Sequence, residues 1–321
     1  MKTSVVLGID ISKKTFDVAL HLSDEKWKHK KFSNILKGFC ELETWLKKNK
    51  VETLHACMEA TNVYGDKLAE FLFDAGYDVS VVNPARIKGF AKSELLRTKT
   101  DKQDASLIAR FCEAMSPSLW QPDPINIREI KAKVKRLDAL QAMKQQEVNR
   151  LDVSDPVICP DIEHHIDELS LRIKMLKKDV DDQINQDPDL KSQKELLLTV
   201  PGVGETTAVS CIVHFSQVHR FSSAKKLASF CGVAPREIQS GTSVRGRGAM
   251  SKIGSASIRK SLFFPAMVAL RYNPTIMAMK QRLEKSGKKK MVIIGAAMRK
   301  LVHIIYGVLT TRTPYNAEIC A

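Results

Sequence analysis

The stretch SVVLGIDISKKTFDVALHL, residues 4 to 22, constrains the fold more than any other part of the chain. Its apolar and β-branched residues fall into two runs separated by Ser12-Lys13-Lys14, the pattern of two strands joined by a tight turn. KWKHKKFSN then reads as a third, edge strand. ILKGFCELETWLKKN sets Ile35, Phe39, Leu42 and Leu46 at helical spacing. TLHACMEA, residues 53 to 60, is a buried strand ending at Glu59, and VYGDKLAEFLFDAG is a helix with a glycine stop. YDVSVVNP is another strand, followed by a short helix, ARIKGFAKSE, and a longer one, DKQDASLIARFCEAM. An antiparallel hairpin feeding alternating β and α units predicts a mixed sheet with helices packed against it.

The pattern changes at PSLWQPDP, residues 117 to 124, a proline-rich linker. Two long helices follow, Ile125 to about Leu151 and Asp161 to about Ile184, joined by SDPVICPD. The second carries a heptad of Ile162, Ile166, Leu169, Ile173, Leu176 and Val180; the first carries a weaker one. This predicts an antiparallel helical hairpin packed within the chain or a dimerising coiled coil. The last region begins near Asp187-Pro188, is mostly helical, and contains a Gly- and Arg-rich loop at 240 to 254. Three domains are expected: 1–118, 125–186 and 187–321.

Charge separates these regions. The net charge is +15, yet residues 220 to 321 hold 19 Lys and Arg against three carboxylates, Glu237, Glu284 and Glu318. The first 219 residues hold 32 basic and 33 acidic side chains. A cationic region beside a neutral one is an electrostatic footprint for nucleic acid. The seven cysteines show no zinc-type spacing and read as small core residues in a reducing cytosol. His214 and His219 lack accompanying ligands. No signal peptide is expected, and Met291 to Leu309, interrupted by Arg299, Lys300 and His303, reads as a buried helix rather than a membrane span.

Four carboxylates in the first region fall where chemistry can use them. Asp10 lies in the first strand, Glu59 ends a later one, and Asp101 and Asp104 open a helix one turn apart, so they share its face. Asp101 alone reads equally as a helix cap. Together the four offer oxygen donors of the kind Mg²⁺ prefers, and two such ions about 4 Å apart serve phosphoryl transfer. Arg97, Lys99 and Lys102 would offset the anionic backbone of a substrate. In the cationic region, VPGVGETTA at 200 to 208 resembles a helix-hairpin-helix turn. Its Gly202 and Gly204 would bring backbone N–H groups to a phosphate, a tight structural turn being the alternative.

Asp10 in GIDISKKTFDVAL, Glu59 in MEATNVYG and the RTKTDKQDA pair resemble the tetrad of a RuvC-like, ribonuclease H-type domain. More closely they resemble the DEDD transposases of the insertion-sequence family IS110, kin of the Piv DNA invertases, and the resemblance spans essentially the whole chain. In that family a serine precedes a glycine downstream of a GxxP segment; here this is Ser240-Gly241 after Gly232 to Pro235. The resemblance implies an α/β RuvC-like catalytic domain, a helical hairpin or coiled coil, and a mostly α C-terminal domain with a helix-hairpin-helix-like segment. It implies that Asp10, Glu59, Asp101 and Asp104 hold Mg²⁺, with Mn²⁺ as an alternative. It also implies that Ser240 attacks a DNA phosphate to leave a covalent phosphoserine.

No His or Asp stands between 238 and 260, so Ser240 needs a base from elsewhere, and the folded or assembled protein is expected to bring the tetrad to it. Arg245, Arg247, Lys252 and Arg259 would clamp the phosphate. Ser243, Ser251 and Ser255 are rivals by position alone. Donor and target DNA, a structured guide RNA that reads sequence by base pairing, and a dimer or tetramer are the expected partners, with no membrane. Two other readings stay open: a RuvC-like nuclease using water, and a non-enzymatic nucleic-acid binder that dimerises.

Overall fold

The computed structural model describes residues 5–22, 26–60, 64–94, 100–215, 217–236, 239–240, 244–245 and 249–318. It divides into two compact units, Met1–Asp123 and Pro124–Ala321.

The first unit is a five-stranded mixed sheet between two layers of helix. Its strands are β1 (Val5–Ile11), β2 (Thr15–His21), β3 (Trp27–Ser33), β4 (Leu54–Glu59) and β5 (Asp78–Val82), in spatial order β3-β2-β1-β4-β5. β1, β2 and β3 pair antiparallel, while β4 and β5 add in parallel on the other side of β1. The helices are α1 (Leu36–Lys48), α2 (Asp66–Asp74), α3 (Pro84–Ser93) and α4 (Asp101–Met115). Alternation along the strands sorts the two faces. Leu7, Ile9, Phe16, Val18 and Met58 pack with Phe39 and Leu42 of α1 and Leu68 and Leu72 of α2. Val6, Cys57 and Val82 pack on the opposite face with Ile87 of α3 and Leu107, Ile108 and Phe111 of α4. The proline-rich segment after α4 is laid against β5: Trp120 N–H donates to the Val79 carbonyl at 2.6 Å, and the Ser80 hydroxyl lies 3.0 Å from the Ser118 carbonyl. It therefore belongs to this unit's structure instead of hanging free as a spacer.

The second unit opens with α5 (Ile125–Leu151) and α6 (Cys159–Gln186). They run antiparallel: Lys133 pairs with Asp179 at 2.8 Å, while Glu147, near the far end of α5, lies 3.9 Å from His165 near the start of α6. The heptad of α6 is spent on this intrachain packing. Ile162, Leu169 and Val180 are buried and Ile166, Ile173 and Leu176 half-buried, matched by buried Ile127, Ile130, Leu137 and Leu140 of α5. Asp187 ends α6 and caps α7 (Pro188–Leu198) by accepting from the Asp189 and Leu190 amides, so the hairpin runs into the last region without a break.

α8 (Glu205–Phe215), α9 (Ala224–Phe230), α10 (Ala256–Tyr272), α11 (Pro274–Lys285) and α12 (Lys290–Thr311) complete the unit. α12 is long and apolar enough by composition to cross a bilayer, but ten of its residues, Ile293 to Leu309, are buried in this core. Between α9 and α10 the Gly- and Arg-rich segment, read from sequence as a loop, forms short strands instead. β6 (Pro235–Arg236) pairs with β9 (Ala249–Met250), and inside them β7 (Gln239–Ser240) pairs with β8 (Val244–Arg245).

Candidate active site

Three elements bring carboxylates to one end of the first unit's sheet. Asp10 is the penultimate residue of β1, at its C-terminal end. The parallel register Ile9↔Met58 sets it beside Glu59, the last residue of β4. Both side chains alternate onto the face that α4 covers, since Val6 and Cys57, on the same parity, pack against that helix. Gly8 fixes how close α4 lies. A Cβ on Gly8 would run into the Ala105 carbonyl and the Ala109 amide, so α4 rests directly on the β1 backbone. This brings its first turn, with Asp101 and Asp104, to the end of β1. His29, hydrogen-bonded to Ser106 at 2.8 Å, and His21, 3.1 Å from Glu113, anchor α4 along the same face.

The capping role expected for Asp101 is filled by its neighbour. Thr100 has extended backbone and its hydroxyl accepts from the Gln103 amide at 3.3 Å, which leaves the Asp101 carboxylate uncommitted to capping and largely exposed. Lys102 is exposed on the same turn; Arg97 and Lys99 lie outside the described residues.

Convergence of the four acids is visible in the ionisation of Asp10. Its carboxyl is pushed up from 3.8 to about 6, first by burial and then by the charges of Asp104, Asp101, Glu59 and Asp17. The fifth acid, Asp17, is the register partner of Asp10 across the hairpin and escaped the reading of the sequence. The near-symmetric turn at Ser12-Lys13-Lys14 held the signal that would have found it. Lys31 on β3 is the matching cation: its Nζ lies 3.0 Å from Asp17 and 3.5 Å from Asp101.

A metal is chemically at home in this cluster. Every donor is a hard carboxylate oxygen, the kind that suits Mg²⁺ and Mn²⁺, and the acids that, after burial, raise the Asp10 value are negative charge a cation would neutralise. The side chains do not form a closed ligand sphere: among the described residues no three His, Cys, Asp or Glu side chains gather tightly enough to hold an ion. Lys31 lies between two of its members, Asp17 and Asp101.

Ser240 lies in the second unit, on β7 opposite Val244, with Gln239 opposite Arg245. The side chains of Ser240 and Arg245 are not described, and Gly241, Ser243 and Arg247 lie outside the described residues. Lys252 and Arg259 line one cavity of about 470 Å³ beside this hairpin, and the Arg259 guanidinium donates to the Lys252 carbonyl at 3.3 Å. Of the rival serines, Ser255 caps α10 by accepting from the Ile258 amide, and Ser251 accepts from the Ile253 amide. Both hydroxyls are used locally.

Gly202 and Gly204 separate in role. Gly202 has φ +104°, and a Cβ there would lie 2.7 Å from Ala269 Cβ and 2.9 Å from the Pro265 carbonyl of α10. Helix packing requires this glycine. Gly204 is exposed with open space around it at the start of α8.

Two family profiles match the chain. One, the DEDD-type IS110 profile described as "Transposase", covers residues 7–153 and so all four acids. The other, described as "Transposase IS116/IS110/IS902 family", covers residues 194–281 and so the serine hairpin. The chain is 36% identical over 317 residues to the pilin gene-inverting protein of Moraxella bovis, and as similar to that of Moraxella lacunata, with 98% of each chain covered. It is 23% identical to the transposase for insertion sequence element IS1111A of Coxiella burnetii, covering 98% of this chain and 92% of that one. Aligned end to end with such relatives, the chain belongs to the IS110 family of DEDD transposases.

Proposed function

We propose that this protein recombines DNA through a covalent phosphoserine at Ser240, assisted by divalent ions held by Asp10, Glu59, Asp101 and Asp104. Enzymes of its family cleave and transfer DNA strands, and a DEDD domain implies dependence on a divalent metal. The observation that carries the reading is the convergence of the four acids at one sheet end, felt by Asp10. Strand order β3-β2-β1-β4-β5, with antiparallel β1 to β3 and parallel β4 and β5, supports a RuvC-like, ribonuclease H-type first unit.

In this reading the Ser240 oxygen bonds to phosphorus while the bond from phosphorus to one deoxyribose oxygen breaks. The serine proton passes to a base, and the departing sugar oxygen takes up a proton. A sugar hydroxyl of the second strand then attacks the phosphoserine, and Ser240 leaves and recovers its proton. The serine's base comes from outside residues 238 to 260, which hold no His, Asp or Glu. Divalent ions, Mg²⁺ or alternatively Mn²⁺, supply Lewis-acid charge at a phosphoryl oxygen when bound. Arg245, Arg247, Lys252 and Arg259 neutralise the phosphate, and the Gly204 turn contacts the DNA backbone.

The same reading includes a structured guide RNA, supported by the concentration of 19 Lys and Arg against three carboxylates in residues 220 to 321. It includes an oligomer too, since recombination holds two duplexes together. Strand cleavage of a cognate plasmid tests it: Asp10→Asn and Glu59→Gln each reduce cleavage to background while DNA binding persists. Cleavage at the wild-type rate in Asp10→Asn contradicts it.

A further inference from the structure

A cavity of about 730 Å³ opens in the second unit between the β6–β9 pair and helices α11 and α12, on the flank of the Ser240 hairpin. Arg282, Lys288, Arg299, Lys300 and His303 line it, and among its described lining residues there is no carboxylate. Arg299 and His303 are half-buried, and one atom of each, Arg299 Nε and His303 Nε2, is shut off from solvent without a hydrogen bond. An unpaired buried polar atom costs about 1–3 kcal/mol, which marks these two side chains as ones a ligand would rearrange and complete. Burial, then the charges of Arg299, Lys300 and Lys225, hold His303 below the usual imidazole range. Met250, Met279 and Met291 line the same cavity with apolar, soft side chains. Gly295 and Ala296 keep the floor open; a Cβ on Gly295 would already stand 3.1 Å from Met250 Cε.

We propose that this cavity receives one nucleotide of a nucleic-acid strand turned out of its stack, with its phosphate at Arg299 and His303 and its base against the methionines. An isolated phosphate would leave the methionines unused, and a purely apolar ligand would not answer the positive charge of the lining. A nucleotide uses both halves, and about 730 Å³ lies in the range of sites that enclose one small organic group. Its cationic residues are none of those assigned to the tetrad, Ser240 or the phosphate clamp, although Met250, Met291 and Gly295 also line the cavity of Lys252 and Arg259, and its assignment rests on the reading that the chain acts on DNA.

The test uses the full chain and a single-stranded DNA 15-mer carrying 4-thiothymidine, cross-linked by light and mapped by mass spectrometry. Cross-links are expected in the peptides bearing Met250, Met279 or Met291. Arg299→Met and His303→Leu should each weaken the 15-mer by about tenfold, the worth of one charge-assisted or buried hydrogen bond. Ala296→Phe, which fills the floor and leaves every charge in place, should abolish these cross-links at an unchanged melting temperature. Cross-links and affinity unaltered in Ala296→Phe would overturn the cavity assignment, and if DNA cleavage is intact the proposed function stands. Adenosine monophosphate displacing the 15-mer at equal concentration would overturn the strand in favour of a free nucleotide. An acidic peptide binding in its place would overturn nucleic acid as the ligand. A wild-type chain that neither binds nor cleaves any DNA would overturn the proposed function as well.

Discussion

Lys31 on β3 holds Asp101 at the first turn of α4, 3.5 Å away, while its stronger bond, 3.0 Å, goes to Asp17 on β2. One ammonium thus ties the sheet to the helix that supplies half of the acid tetrad. The Asp17 hydrogen bond, followed by that residue's charge, raises the Lys31 pKa, so the lysine stays charged across the working range. A cation already standing among the carboxylates both steadies them without metal and competes with metal for them.

Lys31→Met should therefore lower the melting temperature of the protein in EDTA and raise its affinity for Mn²⁺ a few-fold. Scanning fluorimetry and isothermal titration calorimetry measure the two effects. A variant with weaker Mn²⁺ binding would show that Lys31 organises the ligands without competing for them.

Asp10 carries a pH signature. Its folded value, about 6, lies above the ordinary 3.8, so the ionised form is the one the fold disfavours. The stabilising contribution of this group is complete below about pH 4 and lost as pH rises through about 6. In EDTA the wild type should thus melt higher near pH 5 than near pH 7 relative to Asp10→Asn, and Asp10→Asn should be the more stable of the two at pH 7. Divalent metal should raise the wild-type melting temperature at pH 7 more than that of the variant. Parallel melting curves for both proteins across this range would contradict the crowding of the acids around Asp10.

Gly8 and Gly89 predict opposite outcomes for one chemical change. A methyl on Gly8 meets α4 backbone, so Gly8→Ala should cost about 2 kcal/mol or more, as overpacking does, and displace the Asp101–Asp104 turn with loss of cleavage. Gly89 lies exposed in α3 with open space around it, and Gly89→Ala should gain up to about 1 kcal/mol from helix propensity. Urea unfolding of the two variants checks both signs.

Much of the first unit was legible because its signals are local. Strand alternation, the lysine turn and the glycine stop after α2 each lie within a few residues of the element they define. What escaped depends on pairing across the sheet. Asp17 joins the acids only through its register with Asp10, and Lys31 only through one further strand pairing, β3 with β2. The heptad of α6 was equally legible as a seam, but a heptad does not name its partner, and here Ile173, Leu176 and Val180 share a core with Ile127, Ile130 and Leu137 of α5 in the same chain. Gly202 looked like a phosphate-binding glycine because glycine in a turn carries no record of the helix pressed against it. Arg299 and His303 read only as interruptions of an apolar helix, since the cavity they line is completed by residues of α11 and β9, which the pattern of α12 alone does not record.

The most direct measurement is denaturing mass spectrometry of the protein mixed with its cognate DNA and Mg²⁺, to locate any protein–DNA bond. The account predicts an adduct on the peptide containing Ser240 that is absent in Ser240→Ala and in Asp10→Asn. Strand cleavage without an adduct, or an adduct that survives in Ser240→Ala, would contradict it and assign the chemistry to water or to another nucleophile.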